Sequence, residues 1–162
     1  MNEKVAVYPG SFDPITNGHL DILHRGLALF DKVIIAIANN IEKRALFTVE
    51  ERKDLIRKSI NGNDNVSIDS FDGLLVDYVK KVHAPFVIRG LRAMSDFEYE
   101  FQMASMNRNL NPDMDTLFMM TSKDYFFVSS RTIKEVAEFK GSVDEFVPKA
   151  VAMALKEKFS KR

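Results

Sequence analysis

His19 is the first residue of this sequence whose type and position point to chemistry. It closes the stretch YPGSFDPITNGH (residues 8–19) and stands in the first turn of a predicted helix. First-turn N–H groups lack partners, and the helix dipole there favours an anion and disfavours an imidazolium. A neutral imidazole at this place suits a hydrogen bond to a phosphate, with hydroxyls from Ser11 and Thr16 nearby in sequence. A turn with an N-cap is the alternative interpretation, and it leaves the histidine unexplained.

Further groups that suit phosphate follow three other predicted strands. They are Lys43 with Arg44, Arg89 with Arg92, and the run Ser129, Ser130, Arg131. Two guanidiniums separated by a glycine and a leucine favour a planar clamp on phosphate oxygens. The serine run opens a helix, as the first loop does, and predicts a second anion site by the same physics. Glu100, about one turn into a later helix, is either part of this site or a solvent-facing charge.

The sequence excludes several other kinds of site. It contains neither a G-x-x-x-x-G-K-[ST] loop nor a G-x-G-x-x-G loop after its first strand. It contains no cysteine, which removes disulfides, thiolate nucleophiles and cysteine-ligated metals. Lys and Arg number 23, as do Asp and Glu, so no overall charge attracts nucleic acid. No targeting segment or apolar run of about 18 residues occurs, and we expect a cytoplasmic protein with no nucleic-acid or membrane partner.

The scaffold for these residues follows from the apolar pattern. Strands are predicted at residues 4–8, 32–38, 65–71, 86–90 and 115–120, and helices at 17–30, 48–60, 74–82, 95–110, 129–139 and 148–159. Thr48 with Glu51, and Ser95 with Glu98, are predicted capping boxes. This alternation predicts an α/β fold, a Rossmann-like, doubly wound, five-stranded parallel sheet with helices on both faces, in a single domain over residues 1–162. The loops that carry the candidate residues then meet at the carboxyl edge of the sheet.

The helix predicted at residues 95–110 carries two apolar stripes. One consists of Phe97, Phe101 and Ala104, and the other of Tyr99, Met103, Met106 and Leu110. A helix that covers only its own sheet needs one stripe. Deep burial in a monomer is one interpretation; contact with a neighbouring subunit is the one that we prefer.

Four segments of the sequence resemble a known family. The stretch YPGSFDPITNGH is similar to the T/H-x-G-H signature of the nucleotidyltransferase superfamily. Together with FTVEERKDLI, IRGLRAMSDFEYEFQMASMNRNL and SSRTIKEVA, it resembles the bacterial phosphopantetheine adenylyltransferases over nearly the whole chain. The resemblance implies adenylyl transfer from ATP to 4′-phosphopantetheine, with release of pyrophosphate. It also implies Mg²⁺ bound through the ATP phosphates, with no protein metal site, and a homohexamer.

The resemblance implies a role for each matching position. Catalysis is implied for His19, as the residue that stabilises the transition state, and for Lys43 and Arg92. Binding of phosphopantetheine is implied for Ser11, Lys43, Leu75 and Arg89. ATP binding is implied for Ser11, Phe12, His19, Gly90, Leu91, Arg92, Glu100, Tyr125, Phe126, Phe127, Val128, Ser129, Ser130 and Arg131. Tyr125 replaces the Trp of some members, and Arg131 replaces a small hydroxyl residue, where it either contacts phosphate or caps the helix.

The implied chemistry agrees with the residue types. A phosphate monoester, with its second pKa near ~6, is already largely an anion at neutral pH and needs no general base. The reaction needs two polyanions held in line and charge compensation at the transferred phosphorus. Three alternatives stay open: an adenylyl- or cytidylyltransferase acting on nicotinamide mononucleotide or on a sugar or polyol phosphate, a synthetase-like domain, and a nucleotide sensor without turnover.

Overall fold

The structure, a computed structural model, describes residues 3–39 and 45–160. Within these ranges the chain forms five strands, β1 (Val5–Gly10), β2 (Lys32–Ala38), β3 (Val66–Phe71), β4 (Phe86–Leu91) and β5 (Asp115–Met120). The helices are α1 (Asn17–Leu27), α2 (Val49–Ile60), α3 (Leu75–Lys81), α4 (Met94–Leu110), α5 (Ser130–Glu138) and α6 (Lys149–Ser160). The predicted order of elements is confirmed.

The strands form one parallel sheet in the order β3-β2-β1-β4-β5. Val7 of the central strand β1 pairs with Ile34 of β2 on one side and with Val87 of β4 on the other. The chain winds outward in one direction through β2 and β3, and in the opposite direction through β4 and β5. The strand order therefore reverses at β1 and β4, and an open α/β sheet binds its ligands beyond the carboxyl ends of such strands.

Both faces of the sheet are covered, as predicted. Ala6 and Tyr8 point from β1 into an apolar cluster that includes residues of α1, α2, α5 and α6. Val7 points to the opposite face, into a second cluster with Val76 and Val79 of α3. Because neighbouring residues of a strand point to opposite faces, burial on both sides requires the near-continuous apolar runs of β1 and β2.

The helix ends confirm one predicted capping box and correct the other. Thr48 accepts a hydrogen bond from the backbone of Glu51, whose side chain bonds back to Thr48, as predicted. The box predicted for Ser95 and Glu98 is wrong, because α4 begins earlier, after Ala93, with no side-chain cap. No helix of the described ranges is long and apolar enough to cross a membrane.

Candidate active site

The carboxyl ends of β1 and β4 border a cleft of ≈ 460 Å³. Its walls come from the first loop and α1, from the end of β4, from α4, and from the residues around the start of α5. The lining consists of Tyr8, Pro9, Gly10, Ser11, Phe12, Thr16, Gly18, His19, Ile22, Arg89, Gly90, Arg92, Glu100, Thr121, Val128, Ser129, Ser130 and Arg131. Eleven of these were predicted site residues, and they come from three separate parts of the chain: Ser11, Phe12, His19, Arg89, Gly90, Arg92, Glu100, Val128, Ser129, Ser130 and Arg131.

His19 lies on the cleft wall with one ring nitrogen already bonded. Thr16 caps α1 and accepts a hydrogen bond from the backbone N–H of His19, and the N–H of Thr16 donates to His19 Nδ1 at 3.0 Å. This capping box, not predicted from the sequence, uses a histidine where a glutamate or glutamine is usual. Because Nδ1 accepts this hydrogen bond, the proton of the neutral ring is on Nε2, which remains a donor.

The environment of His19 keeps it neutral. The ring packs edge-on against Phe12, with 5.1 Å between ring centroids, and lies 6.5 Å from the ring of Tyr8. Burial and, second, the positive charge of Arg92 lower the pKa of His19 to about 4. The sequence argument predicted the same neutral state from the helix dipole alone. Packing against aromatic rings was not readable from the sequence, because it depends on the fold of the loop.

Arg89 and Glu100 form an ion pair in the wall of the cleft. Arg89 Nε lies 3.2 Å from Glu100 Oε2, and its Nη1 donates to the carbonyl of Pro9 at 3.3 Å. Both side chains are mostly buried, with 25% and 20% of their surface exposed. Of the two interpretations of Glu100, the structure supports the one that places it in the site, where it positions the guanidinium of Arg89.

Arg92 is held in the same manner by a carboxylate from the first turn of α4. Its Nε and its backbone N–H both donate to Asp96 Oδ2 at 3.1 Å, and Nη1 donates to the carbonyl of Val128 at 3.4 Å. Asp96 was not predicted as part of the site. Its spacing of four residues from Arg92 was the available signal, because such spacing brings opposite charges together at a helix start.

The start of α5 provides the second helix N-terminus at the cleft. The Ser129 hydroxyl accepts from the backbone N–H of Thr132 at 3.0 Å and caps the helix, and the Ser130 hydroxyl donates to the carbonyl of Pro14 at 2.7 Å. The cap therefore belongs to Ser129 and not to Arg131, which lines the cleft. First-turn N–H groups, here those of Ser130 and Arg131, have no acceptor within their own helix and suit an anion.

A buried carboxylate joins the elements that carry these groups. Asp13, 5% exposed, accepts from the backbone N–H groups of Leu46 at 3.0 Å and Phe47 at 2.9 Å. Its Oδ2 also lies 2.7 Å from Nζ of Lys134 in α5. The first loop is thereby fixed to the segment before α2 and to the helix that starts at the cleft. No local sequence pattern indicates this contact, because its partners lie far apart along the chain.

Some predicted site residues are described but lie outside the cleft lining, and one is not described by the structure. Lys43, predicted for catalysis and substrate binding, lies outside the described residues. Leu75 begins α3 and packs against the apolar cluster on the opposite face of the sheet. Leu91, Tyr125, Phe126 and Phe127 are also absent from the lining. Phe126 and Phe127 are 56% and 53% exposed beside it. The roles predicted for these residues stay predictions.

Several lining residues, Gly18 among them, were not predicted site residues. Gly18 and the predicted Gly90 explain part of the cleft shape. A Cβ at Gly18 would lie 3.3 Å from Cβ of Tyr125, and a Cβ at Gly90 would lie 3.0 Å from Cγ1 of Ile22. Both distances are tighter than ordinary van der Waals contact, so the absent side chains let α1 pack closely on β4 and on the segment after β5.

Comparison with known proteins agrees with this geometry. Residues 7–136 match the model of the cytidylyltransferase-like family. The chain is 56% identical to a phosphopantetheine adenylyltransferase of Geobacter metallireducens, over 99% of each chain. It is 54% identical to one from Anaeromyxobacter sp. (strain K), over 98% of this chain and 96% of the relative.

A solved structure supports the fold at low identity. A bifunctional NMN adenylyltransferase/ADP ribose pyrophosphatase from Francisella tularensis, complexed with AMP and a manganese ion, superposes with a TM-score of 0.67 at 18% identity. The match covers 90% of this chain and 44% of that protein. Identity above one half over nearly the full length of the curated relatives is much more specific. The chain therefore belongs to the phosphopantetheine adenylyltransferase family of nucleotidyltransferases.

Proposed function

We propose that this enzyme transfers the adenylyl group of ATP to 4′-phosphopantetheine, giving dephospho-coenzyme A and pyrophosphate. The observation that carries the proposal is the meeting of His19, Arg89 and Arg92 with the N-terminal ends of α1 and α5 around one cleft. These groups suit two phosphate-bearing substrates, since each supplies a positive charge or an N–H donor. The relatives at 54–56% identity carry the same activity in their names.

The nucleophile is the phosphate of 4′-phosphopantetheine, which attacks the α-phosphorus of ATP. A phosphate monoester is mostly a dianion near neutral pH, so no side chain has to remove a proton. The bond from the α-phosphorus to the bridging oxygen breaks, and pyrophosphate leaves with that electron pair. The protein has to hold the two phosphates in line and compensate the charge that accumulates on the transferring group.

His19 is the residue that we assign to the transition state. Its ring is neutral at working pH, because its pKa is lowered to about 4. Since Nδ1 is engaged in the capping box, the Nε2–H group is available to donate to a substrate. A fixed neutral donor stabilises developing charge without first having to reorganise. Arg92 and the first-turn N–H groups of α5 support the phosphates of ATP, and Arg89 supports the acceptor phosphate with Lys43 and Ser11.

Mg²⁺ fits this site as an ion carried by the nucleotide. Within the described residues no three His, Asp or Glu side chains are grouped to hold a metal, and Glu100, the one carboxylate among the residues that line the cleft, is paired with Arg89. Mg²⁺ binds readily through triphosphate oxygens and water. When bound, it would neutralise charge on the leaving pyrophosphate.

The experiment that tests the proposal measures pyrophosphate release from ATP with Mg²⁺ and one acceptor at a time. We expect release with 4′-phosphopantetheine and none with pantetheine, which lacks the nucleophile. Nicotinamide mononucleotide is the acceptor for the main alternative. Equal or faster release with that acceptor would contradict the proposed substrate, and ATP binding without release from any acceptor would favour a nucleotide sensor.

We also propose that the enzyme assembles into a homohexamer. Asn107 is the single residue of α4 that is buried, while large apolar side chains of α4 and of its neighbour β5 are exposed. The most exposed are Met94, Tyr99, Phe101, Met106, Leu110 and Met120, at 50–74%. Exposed apolar patches of this kind are typical of protein–protein contacts. Light scattering should give a mass near six chains; a monomer at working concentration would reject the contact.

Two broader expectations accompany this function. We propose that residues 1–162 act as one nucleotidyltransferase domain, supported by the family match to residues 7–136 across β1 to α5. We also propose a cytoplasmic location, because ATP, the proposed substrate, is plentiful there. Fractionation of cells with an antibody to the chain would test the location.

A further inference from the structure

Tyr8 is a buried residue of the cleft that takes no part in the steps above. Its side chain is 5% exposed and packs against Phe12, with 5.3 Å between ring centroids. It nevertheless lines the cleft together with His19 and the two arginines. A buried tyrosine usually finds a partner for its hydroxyl, so the direction of this hydroxyl matters.

The hydroxyl of Tyr8 bonds to none of the residues that the structure describes. Among the residues that the structure describes, every side-chain nitrogen or oxygen that is buried from solvent has a hydrogen-bond partner. Together with the place of Tyr8 in the cleft lining, this indicates a hydroxyl at the cleft wall that no described residue engages. It lies beside Gly90, at 3.8 Å from the position that a Cβ of Gly90 would take.

The charges around this hydroxyl indicate which kind of ligand atom it can bind. Burial raises the pKa of Tyr8, and the cations Arg89 and Arg92 act on it along with the carboxylate of Asp21. The phenol therefore keeps its proton and acts as a donor at neutral pH. A neutral donor next to two guanidiniums complements an anionic oxygen, which the guanidiniums hold in place by charge.

We propose that the Tyr8 hydroxyl donates a hydrogen bond to a phosphoryl oxygen of a substrate bound in the cleft. The inference rests on the proposed function, because both substrates of that reaction carry phosphate. The oxygen belongs either to the nucleotide or to the acceptor, and binding measurements separate the two sources. Tyr8 then acts beside His19 as another neutral donor, next to the cationic side chains of Arg89 and Arg92.

The test is the variant Tyr8→Phe, with Tyr78→Phe as its matched control. Tyr78 is also 5% exposed, but its hydroxyl donates to Asp69 at 2.9 Å within the other apolar cluster. We expect Tyr8→Phe to lower kcat/KM at least tenfold with an unchanged melting temperature, because a hydrogen bond to a charged group is lost only from the complex. Tyr78→Phe should do the opposite: a lower melting temperature, with kcat/KM within about twofold of the wild type.

Two binding arms identify the phosphoryl group. Weaker binding of α,β-methylene-ATP by Tyr8→Phe assigns the contact to the nucleotide. Weaker binding of 4′-phosphopantetheine, with pantetheine unaffected, assigns it to the acceptor. A loss in kcat/KM with both affinities unchanged assigns it to the transition state.

Three results overturn the inference: unchanged kcat/KM, a melting temperature that falls together with activity, or equal weakening of pantetheine and its phosphate. Failure of the proposed function is a separate result, because it appears as absent pyrophosphate release by the wild-type enzyme.

Discussion

Replacing His19 by alanine removes the neutral donor that we assign to the transition state. Loss of one fixed donor to developing charge typically costs about 3–4 kcal/mol, or a 10²–10³-fold fall in kcat. The same change removes the ring nitrogen that accepts from Thr16 N–H at 3.0 Å, so the free energy of unfolding should also fall by about 1 kcal/mol. ATP should still bind, because Arg92 and the start of α5 are untouched.

The assay for His19→Ala combines initial rates of pyrophosphate release with calorimetric binding of ATP. Two variants serve as controls. His24→Ala removes an exposed histidine of the same helix and should change neither quantity. His19→Glu restores the usual capping acceptor but supplies no donor at neutral pH, so it should recover stability and stay inactive. Wild-type turnover by His19→Ala would refute the catalytic role, and recovery of kcat in His19→Glu would show that the cap alone matters.

Three further predictions concern stability and the placement of the cleft arginines. The folded protein lowers the pKa of His19 to about 4 from an ordinary 6.5, so between pH 6.5 and 4 protons bind the unfolded chain first. The free energy of unfolding should therefore decrease as the pH is lowered from 6.5 to 4, and the decrease should be smaller in His19→Ala. Equal pH dependence of the two proteins in urea unfolding would contradict this. Asp13→Ala should lower the free energy of unfolding by about 3 kcal/mol, because it leaves the ammonium of Lys134 and the backbone N–H groups of Leu46 and Phe47 without their acceptor. Asp113→Ala, at an exposed position, should change the free energy of unfolding by under about 0.5 kcal/mol. Asp96→Ala should raise the KM for ATP about two- to fivefold at nearly constant melting temperature, because a partly exposed ion pair positions Arg92. An unchanged KM would show that the hydrogen bond from Arg92 to the carbonyl of Val128 is enough to position the guanidinium.

The fold was readable from the sequence because its signals are local. The apolar run of β2 and the Thr48–Glu51 cap each depend on residues within one element, and both were predicted correctly. The Ser95–Glu98 cap failed because α4 begins at Met94, so that Ser95 lies inside the first turn and not at the N-cap.

The sequence predicted which side chains meet at the cleft, but not the contacts that hold them in place. His19, Arg89 and Arg92 lie at strand ends or a helix start, and the topology of a parallel sheet brings such positions together. The contacts of Asp13 were not predicted, because its partners lie up to 121 residues away along the chain. The role that we propose for the Tyr8 hydroxyl was not predicted, because an aromatic residue in an apolar strand is typical of a core position. Contacts between distant loops are set by packing, which a local pattern does not encode.

The pairing of each cleft arginine with an acid has a consequence for how the free enzyme treats small ions. Arg89 is already neutralised by Glu100, and Arg92 by Asp96. An inorganic phosphate or chloride that approaches one guanidinium must compete with a tethered carboxylate at high effective concentration. A ligand whose several phosphates engage both arginines and a helix end at once overcomes that competition. We therefore expect the paired acids to weaken the binding of a single small anion more than that of a ligand with several phosphates.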